Sequence, residues 1–210
     1  VPSFPAVYPI LDVELVHARN LVEVDLARIW LDAGVTLFQL RAKRLASAPL
    51  LALVEALARE AHSRGARLVV NDRADLAVLG SADGVHVGQT DLSASDARCI
   101  VGPSFLIGLS THGQEQLLRA LEEPVDYVAI GPVFGTMSKA EPDPAVGVAG
   151  VARAAVVSRA AARPLVAIGG ITTETAPAVL AAGASSVAVI SDLLAGDPAH
   201  RIREYLRLVS

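Results

Sequence analysis

Ala33-Gly-Val-Thr-Leu-Phe-Gln-Leu-Arg-Ala-Lys43 carries the pattern that decides the fold. An amphipathic segment at 22–33 stops at Gly34, the residue type that most readily closes a helix. A short apolar run at 36–40 follows and leaves into a cationic loop. The unit recurs: Arg64-Gly65 precedes the run 67–71, and Ala182-Gly183 precedes the run 186–190. Helix, glycine and strand repeated in this order mark consecutive βα units in a parallel sheet.

Strand patterns are expected at 7–12, 36–40, 67–71, 84–87, 106–109, 126–130, 165–168 and 186–190. Helical patterns lie at 22–33, 48–64, 74–79, 94–100, 114–121, 148–159, 173–182 and 199–208. The segment 48–64 shows the clearest stripe, with Leu50, Leu53, Val54, Leu57, Ala58 and Ala61 at helical spacing. Eight strands alternating with eight helices in 210 residues predict an α/β fold, a single (β/α)8 TIM barrel over 1–210. A doubly wound open sheet is the alternative. No linker or low-complexity stretch divides the chain, and the one long irregular loop is 131–147.

Composition agrees with this. Apolar residues make up 52% and aromatics only 4%, so the core must be built from Ala, Val, Leu and Ile, as in a buried parallel sheet. The net charge of −4 and the lack of a basic stripe argue against nucleic acid as a partner. No apolar stretch reaches spanning length without a charge, Gly or Pro, which argues against a membrane. Cys99 is the sole cysteine, so an internal disulfide framework is excluded; its helical setting predicts a buried residue. No signal peptide is visible, and the expected location is cytoplasmic.

A barrel demands chemistry at the C-terminal ends of its strands. Gln39, Arg41 and Lys43 alternate with Leu40 and Ala42, so in extended backbone they share one face suited to a polyphosphate. Lys43 and Lys139 are the only lysines beside sixteen arginines, and both follow strand patterns. Asn71-Asp72 leaves the third strand and Gly88-Gln-Thr-Asp91 the fourth. Two carboxylates on adjacent strands can share a Mg²⁺ that substrate phosphate and water complete. Asp72 and Asp91 could equally cap the helices that follow them, as Asp75, Asp83 and Asp96 are expected to cap or to face solvent.

The fifth strand leads to Ser110-Thr-His112. Ser110 is placed to bond a ligand, while His112 reads as an acid/base group or, preferably, as a pocket-shaping histidine. His86 reads as inward-facing structure. After the sixth strand, Thr136-Met-Ser-Lys139 forms a polar clamp. Gly169-Gly170 after the seventh strand and Ile190-Ser191 after the eighth suit a phosphate held by main-chain amides. One anion pocket near strands 2–4 and another near strands 7–8 suit the joining of a diphosphate to a monophosphate.

The same residues resemble the thiamine-phosphate synthase family. The likeness runs from Tyr8-Pro-Ile-Leu-Asp12 to Ile190-Ser191. It includes Gln39-Leu-Arg-Ala-Lys43, Asn71-Asp-Arg73, Ala82-Asp-Gly-Val-His-Val-Gly-Gln-Thr-Asp91, Gly108-Leu-Ser-Thr-His112, Gly131-Pro-Val-Phe-Gly-Thr-Met-Ser-Lys139 and Ala167-Ile-Gly-Gly-Ile171. The resemblance implies condensation of hydroxymethylpyrimidine diphosphate with thiazole phosphate, giving thiamine phosphate and pyrophosphate, with Mg²⁺. It implies that Gln39, Leu40, Arg41, Ala42, Lys43, Asn71, Ser110 and Lys139 hold the pyrimidine diphosphate. Asp72 and Asp91 hold the metal. Thr136, Met137, Ser138, Gly170, Ile190 and Ser191 hold thiazole phosphate. Arg41, Lys43, Ser110 and Lys139 act on the reacting groups. Met137 departs from the hydroxyl-rich loop common in the family. A homodimer is compatible with the reading. Two rivals stay open: a thiazole tautomerase on the same barrel, and a non-catalytic phosphate-binding barrel.

Overall fold

Inward and outward residues alternate along the strands and sort into two separate cores. Tyr8, Ile10, Leu37, Val69, Tyr127, Ala129, Val166 and Ala188 pack together in the barrel interior. Their strand neighbours, among them Leu11, Phe38, Leu40, Leu68, Val70, Val128 and Val187, pack against the helices outside. The structure is a computed structural model and describes residues 4–135 and 144–208.

The strands are β1 (Val7–Asp12), β2 (Leu37–Arg41), β3 (Arg67–Asn71), β4 (Gly84–Val87), β5 (Leu106–Thr111), β6 (Tyr127–Ile130), β7 (Leu165–Ile168) and β8 (Ser186–Val189). They close in sequence order. Closure comes from β1, which pairs in parallel with β2 through Ile10 and Gln39 and with β8 through Tyr8 and Ala188. The expected barrel is therefore the fold, and the open doubly wound sheet is not.

Helices α1 (Val13–Ala18), α2 (Glu23–Asp32), α3 (Ser47–His62), α4 (Ala74–Leu79), α5 (Ala94–Val101), α6 (Gln114–Glu122), α7 (Gly147–Ala160), α8 (Ala176–Ala181) and α9 (Pro198–Leu208) surround the sheet, with a 3-10 turn at Ser191–Leu194. Gly65 has φ +69, and the residue after it, Ala66, donates its N–H to the Ala61 carbonyl at 2.9 Å, closing α3 as expected of a C-terminal glycine.

Several boundaries differ from the sequence expectation. α1 is too short for periodicity to reveal; it exists because the Asp12 side chain accepts from Leu15 N at 3.0 Å and because Val13 and Val16 are buried. β2 runs on to Arg41 and β5 to Thr111, so Arg41 and Ser110 sit on rigid strand ends and not in loops. α8 begins later than expected, at Ala176, after a turn in which Thr172 N donates to Thr175 Oγ1. Cys99 corrects another expectation: Ala94, Ala97 and Val101 form the inward face of α5, and Cys99 lies off that face, exposed. Among the described residues, no helix is long and apolar enough to cross a membrane.

Candidate active site

The C-terminal strand ends surround a cavity of about 710 Å³. Gln39, Arg41 and Lys43 all line it, as alternation along β2 requires. Leu40 and Ala42 do not. Leu40 is buried in the helix-facing core and Ala42 packs against that core, so as binding residues they could offer only main chain. Both cations are paired: Arg41 Nη1 bonds Asp12 Oδ2, and Lys43 Nζ bonds Asp72 Oδ2. Gln39 is almost wholly buried, and its Nε2 donates to Tyr8 Oη at 3.1 Å.

Asn71 ends β3 and lines the cavity beside Asp72. Asp72 adopts φ +62, a left-handed conformation that Asn and Asp tolerate better than most residues. Its N–H donates to the His86 carbonyl at 2.8 Å, which ties the turn to β4. Burial raises the Asp72 carboxyl above the usual carboxylate range; Lys43 opposes this, and Asp91, within hydrogen-bonding reach, adds to it. Asp91 Oδ2 accepts from Gly88 N at 2.9 Å. Neither carboxylate caps a helix. α4 has no side-chain cap, and α5 is capped by Ser93, whose Oγ accepts from Asp96 N at 3.0 Å.

These two carboxylates are an all-oxygen donor set short of negative-charge compensation, which fits a hard divalent cation. Among the described residues no cluster of three or more His, Cys, Asp or Glu forms a closed metal cage. A two-carboxylate site that leaves room for water and phosphate suits Mg²⁺ better than a structural metal.

Ser110 ends the inward row of β5, and its Oγ lies 2.8 Å from His86 Nε2. His86 Nδ1 lies 2.9 Å from Tyr127 Oη, and Tyr127 Oη 3.0 Å from Tyr8 Oη. His86 is structural and inward-facing, as expected, yet it also lines the cavity. Burial, aided by Lys43, pushes its pKa from 6.5 down to about 4, with Asp91 opposing. His112 lines the cavity, and its Nδ1 donates to the Gly131 carbonyl at 2.8 Å.

The shift at His86 has a consequence for stability. The unfolded chain protonates His86 near pH 6.5, while the folded chain resists until about 4. Stability present above pH 6.5 is therefore lost as pH falls through that window, by up to about 3 kcal/mol. Urea midpoints measured between pH 7 and 4 should fall less steeply in His86→Gln than in the parent. Equal slopes would assign the acid sensitivity to other groups.

On another arc of the rim, Gly169, Gly170, Ile171, Ile190 and Ser191 line the cavity. Gly170 has φ +62, and a Cβ there would lie 2.6 Å from the Gly135 carbonyl oxygen, so only glycine fits this close approach of chains. Thr136, Met137, Ser138 and Lys139 lie outside the described residues.

Sequence reasoning missed Tyr8, Tyr127 and Asp12. Inward tyrosines on strands read as core, and Asp12 reads as a strand end. Gln89 and Thr90 also line the cavity, and Gln89 Nε2 donates to the Ser110 carbonyl at 2.6 Å.

Comparison with known proteins decides the family. The family model described as thiamine monophosphate synthase matches residues 7–193. The chain belongs to the thiamine monophosphate synthase family. A thiamine-phosphate synthase of Koribacter versatilis is 44% identical over 99% of this chain and 97% of its own length. One from Methanoculleus marisnigri is 44% identical over 82% of this chain and 81% of its own. The structure of thiamine phosphate pyrophosphorylase from Pyrococcus furiosus superposes with a TM-score of 0.87 at 30% identity, covering 97% of this chain and 95% of that one. The family resemblance read from the strand-exit motifs is thus borne out. Membership in this synthase family makes the chain an enzyme, a transferase of thiamine biosynthesis acting on small molecules.

Proposed function

We propose that the cavity joins hydroxymethylpyrimidine diphosphate to thiazole phosphate, and that Asp72 and Asp91 hold the Mg²⁺ it requires. The observation that carries this reading is the adjacency of Arg41, Lys43, Asp72 and Asp91 on one arc of the rim, with Gly170, Ile190 and Ser191 on another. The first arc suits a diphosphate and its metal, and the second a monophosphate. A tautomerase acting on thiazole phosphate alone has no use for the first arc. The proposed location of the reaction is the cytoplasm.

The chemistry asked of the chain is leaving-group stabilisation. The bond from the pyrimidine methylene carbon to the diphosphate oxygen breaks, its electron pair leaving with pyrophosphate. The thiazole nitrogen lone pair then forms the new bond to that carbon. No proton need move, which accounts for a site rich in cations and without a nucleophile–base pair. Arg41 and Lys43 exchange their carboxylate partners for the diphosphate and stabilise its growing charge. Ser110 adds a neutral hydrogen bond. Mg²⁺, when bound, neutralises charge shared between the carboxylates and the diphosphate. By resemblance Lys139 adds a further cation, and Thr136, Met137 and Ser138 meet the thiazole phosphate.

Both substrates incubated with the protein should yield thiamine phosphate and pyrophosphate in Mg²⁺, and chelation should abolish the product. Product formation that ignores chelation would remove the metal from the proposal. No product under either condition would overturn the reaction.

A further inference from the structure

Helix α9 reaches both segments of the monophosphate arc through two side chains, Arg201 and Tyr205, that stand one turn apart on it. Tyr205 Oη donates to Asp192 Oδ2 at 2.6 Å and lies 3.4 Å from the Ile171 carbonyl oxygen. Arg201 Nη1 donates to Thr173 Oγ1 at 3.0 Å, and its Nε lies 3.9 Å from Asp192 Oδ2. Each side chain therefore touches the exit of β7, at 169–173, and the turn after β8, at 190–194.

The sheet does not supply this bridge. Pairing of β7 with β8 ends at Ile168 and Ala188. Among the described residues no hydrogen bond joins 169–173 directly to 190–194. The β7 exit is tied instead to the β6 side, where the Gly169 carbonyl accepts from Phe134 N at 3.0 Å. Gly170, Ile171, Ile190 and Ser191 line the cavity, while Asp192, Arg201 and Tyr205 do not. Any effect of these three on a ligand must pass through the segments they hold.

We propose that α9 is a clasp, in which Tyr205 and Asp192 are positioning residues that set the spacing of the two main-chain segments receiving the phosphate of the thiazole substrate. This deepens the reaction proposed above and rests on it.

A phosphate held by main-chain N–H groups needs that spacing fixed, because a peptide N–H cannot stretch toward a ligand as a long side chain can. Such bonds form over roughly 2.7–3.2 Å, so a drift of about 1 Å between the segments leaves one of them out of range. Tyr205 suits the task. It is fully buried, and burial together with the Asp192 bond raises its pKa, so the phenol remains a donor. Asp192 directly follows Ser191, and the two donors of α9 hold its negative charge away from the cavity that receives the phosphate.

The test measures calorimetric binding of thiazole phosphate, with pyrophosphate and Mg²⁺ present, and steady-state turnover. Tyr205→Phe should raise the Kd and KM for thiazole phosphate about tenfold and leave KM for the pyrimidine diphosphate within about twofold of the parent. Asp192→Ala should do the same, and the double variant should lose no more than either single one, as two groups acting through one contact do. Asp192→Asn keeps an oxygen acceptor for Tyr205 and should stay within about threefold of the parent. Should Tyr205→Phe fail to fold, Asp192→Ala against Asp192→Asn carries the same comparison. A lower melting temperature with an unchanged Kd would show a merely structural contact and overturn the proposal, and so would equal losses for both substrates. If the parent binds thiazole phosphate but makes no product, the reaction reading fails and the Kd series decides the clasp alone. If the parent does not bind thiazole phosphate, the arc and the clasp fall together.

Discussion

Asp72→Asn is expected to lower turnover by about 10²–10³ while leaving the melting temperature unchanged or higher. The two halves of that result have one cause. Burial and the nearby Asp91 carboxylate raise the pKa of Asp72, with Lys43 only partly offsetting them. A carboxyl whose pKa is raised on folding contributes stability below its unfolded pKa and loses it as pH rises through the folded one. At neutral pH the ionised group is therefore held against its own preference, as a group reserved for a cation is. Asn keeps the shape, tolerates the φ of +62, and removes the charge. Lys43 loses a partner but keeps its solvent, its side chain being 46% exposed. Mg²⁺ should raise the melting temperature of the parent and not of the variant. Turnover within threefold of the parent, or an equal metal-induced shift, would remove Asp72 from the metal site.

Gly108→Ala is expected to destabilise the barrel by about 3 kcal/mol, roughly 10 °C in melting temperature for a chain of this size. The new Cβ would meet Tyr127 Cζ at 2.1 Å and Tyr127 Oη and His86 Nδ1 at 2.4 Å. Neither neighbour can retreat cheaply. The Tyr127 ring is fully buried between Phe4 and Tyr8, and its hydroxyl joins Tyr8 to His86. Moving His86 would also break its contact with Ser110 at the cavity floor. A melt that shifts by less than 2 °C would show that the interior is looser than its packing implies.

The sequence is informative where one residue and its near neighbours settle the outcome. A helix closed by Gly65 and a strand opening two residues later are local, so the βα order and most strand positions could be read directly. The alternation of Gln39, Arg41 and Lys43 is likewise local, and the cavity lining follows it; the same alternation sends Leu40 to the helices. Family resemblance carried the activity, because a run of motifs at strand exits is specific even when each motif alone is not.

Three outcomes belonged to the tertiary structure. Closure of the sheet rests on β1 meeting β8, a pairing between opposite ends of the chain that no local pattern encodes. The partners of the site cations, Asp12 for Arg41 and Asp72 for Lys43, come from neighbouring strands whose register had first to form. The hydroxyls of Tyr8 and Tyr127 meet across the barrel interior, 119 residues apart in sequence. In the sequence both tyrosines are only apolar-run members. Short-range sterics and hydrophobic period determine which segments become strands and which faces they bury. Which polar groups then find each other depends on closure and register, and these are decided only when the whole barrel has formed.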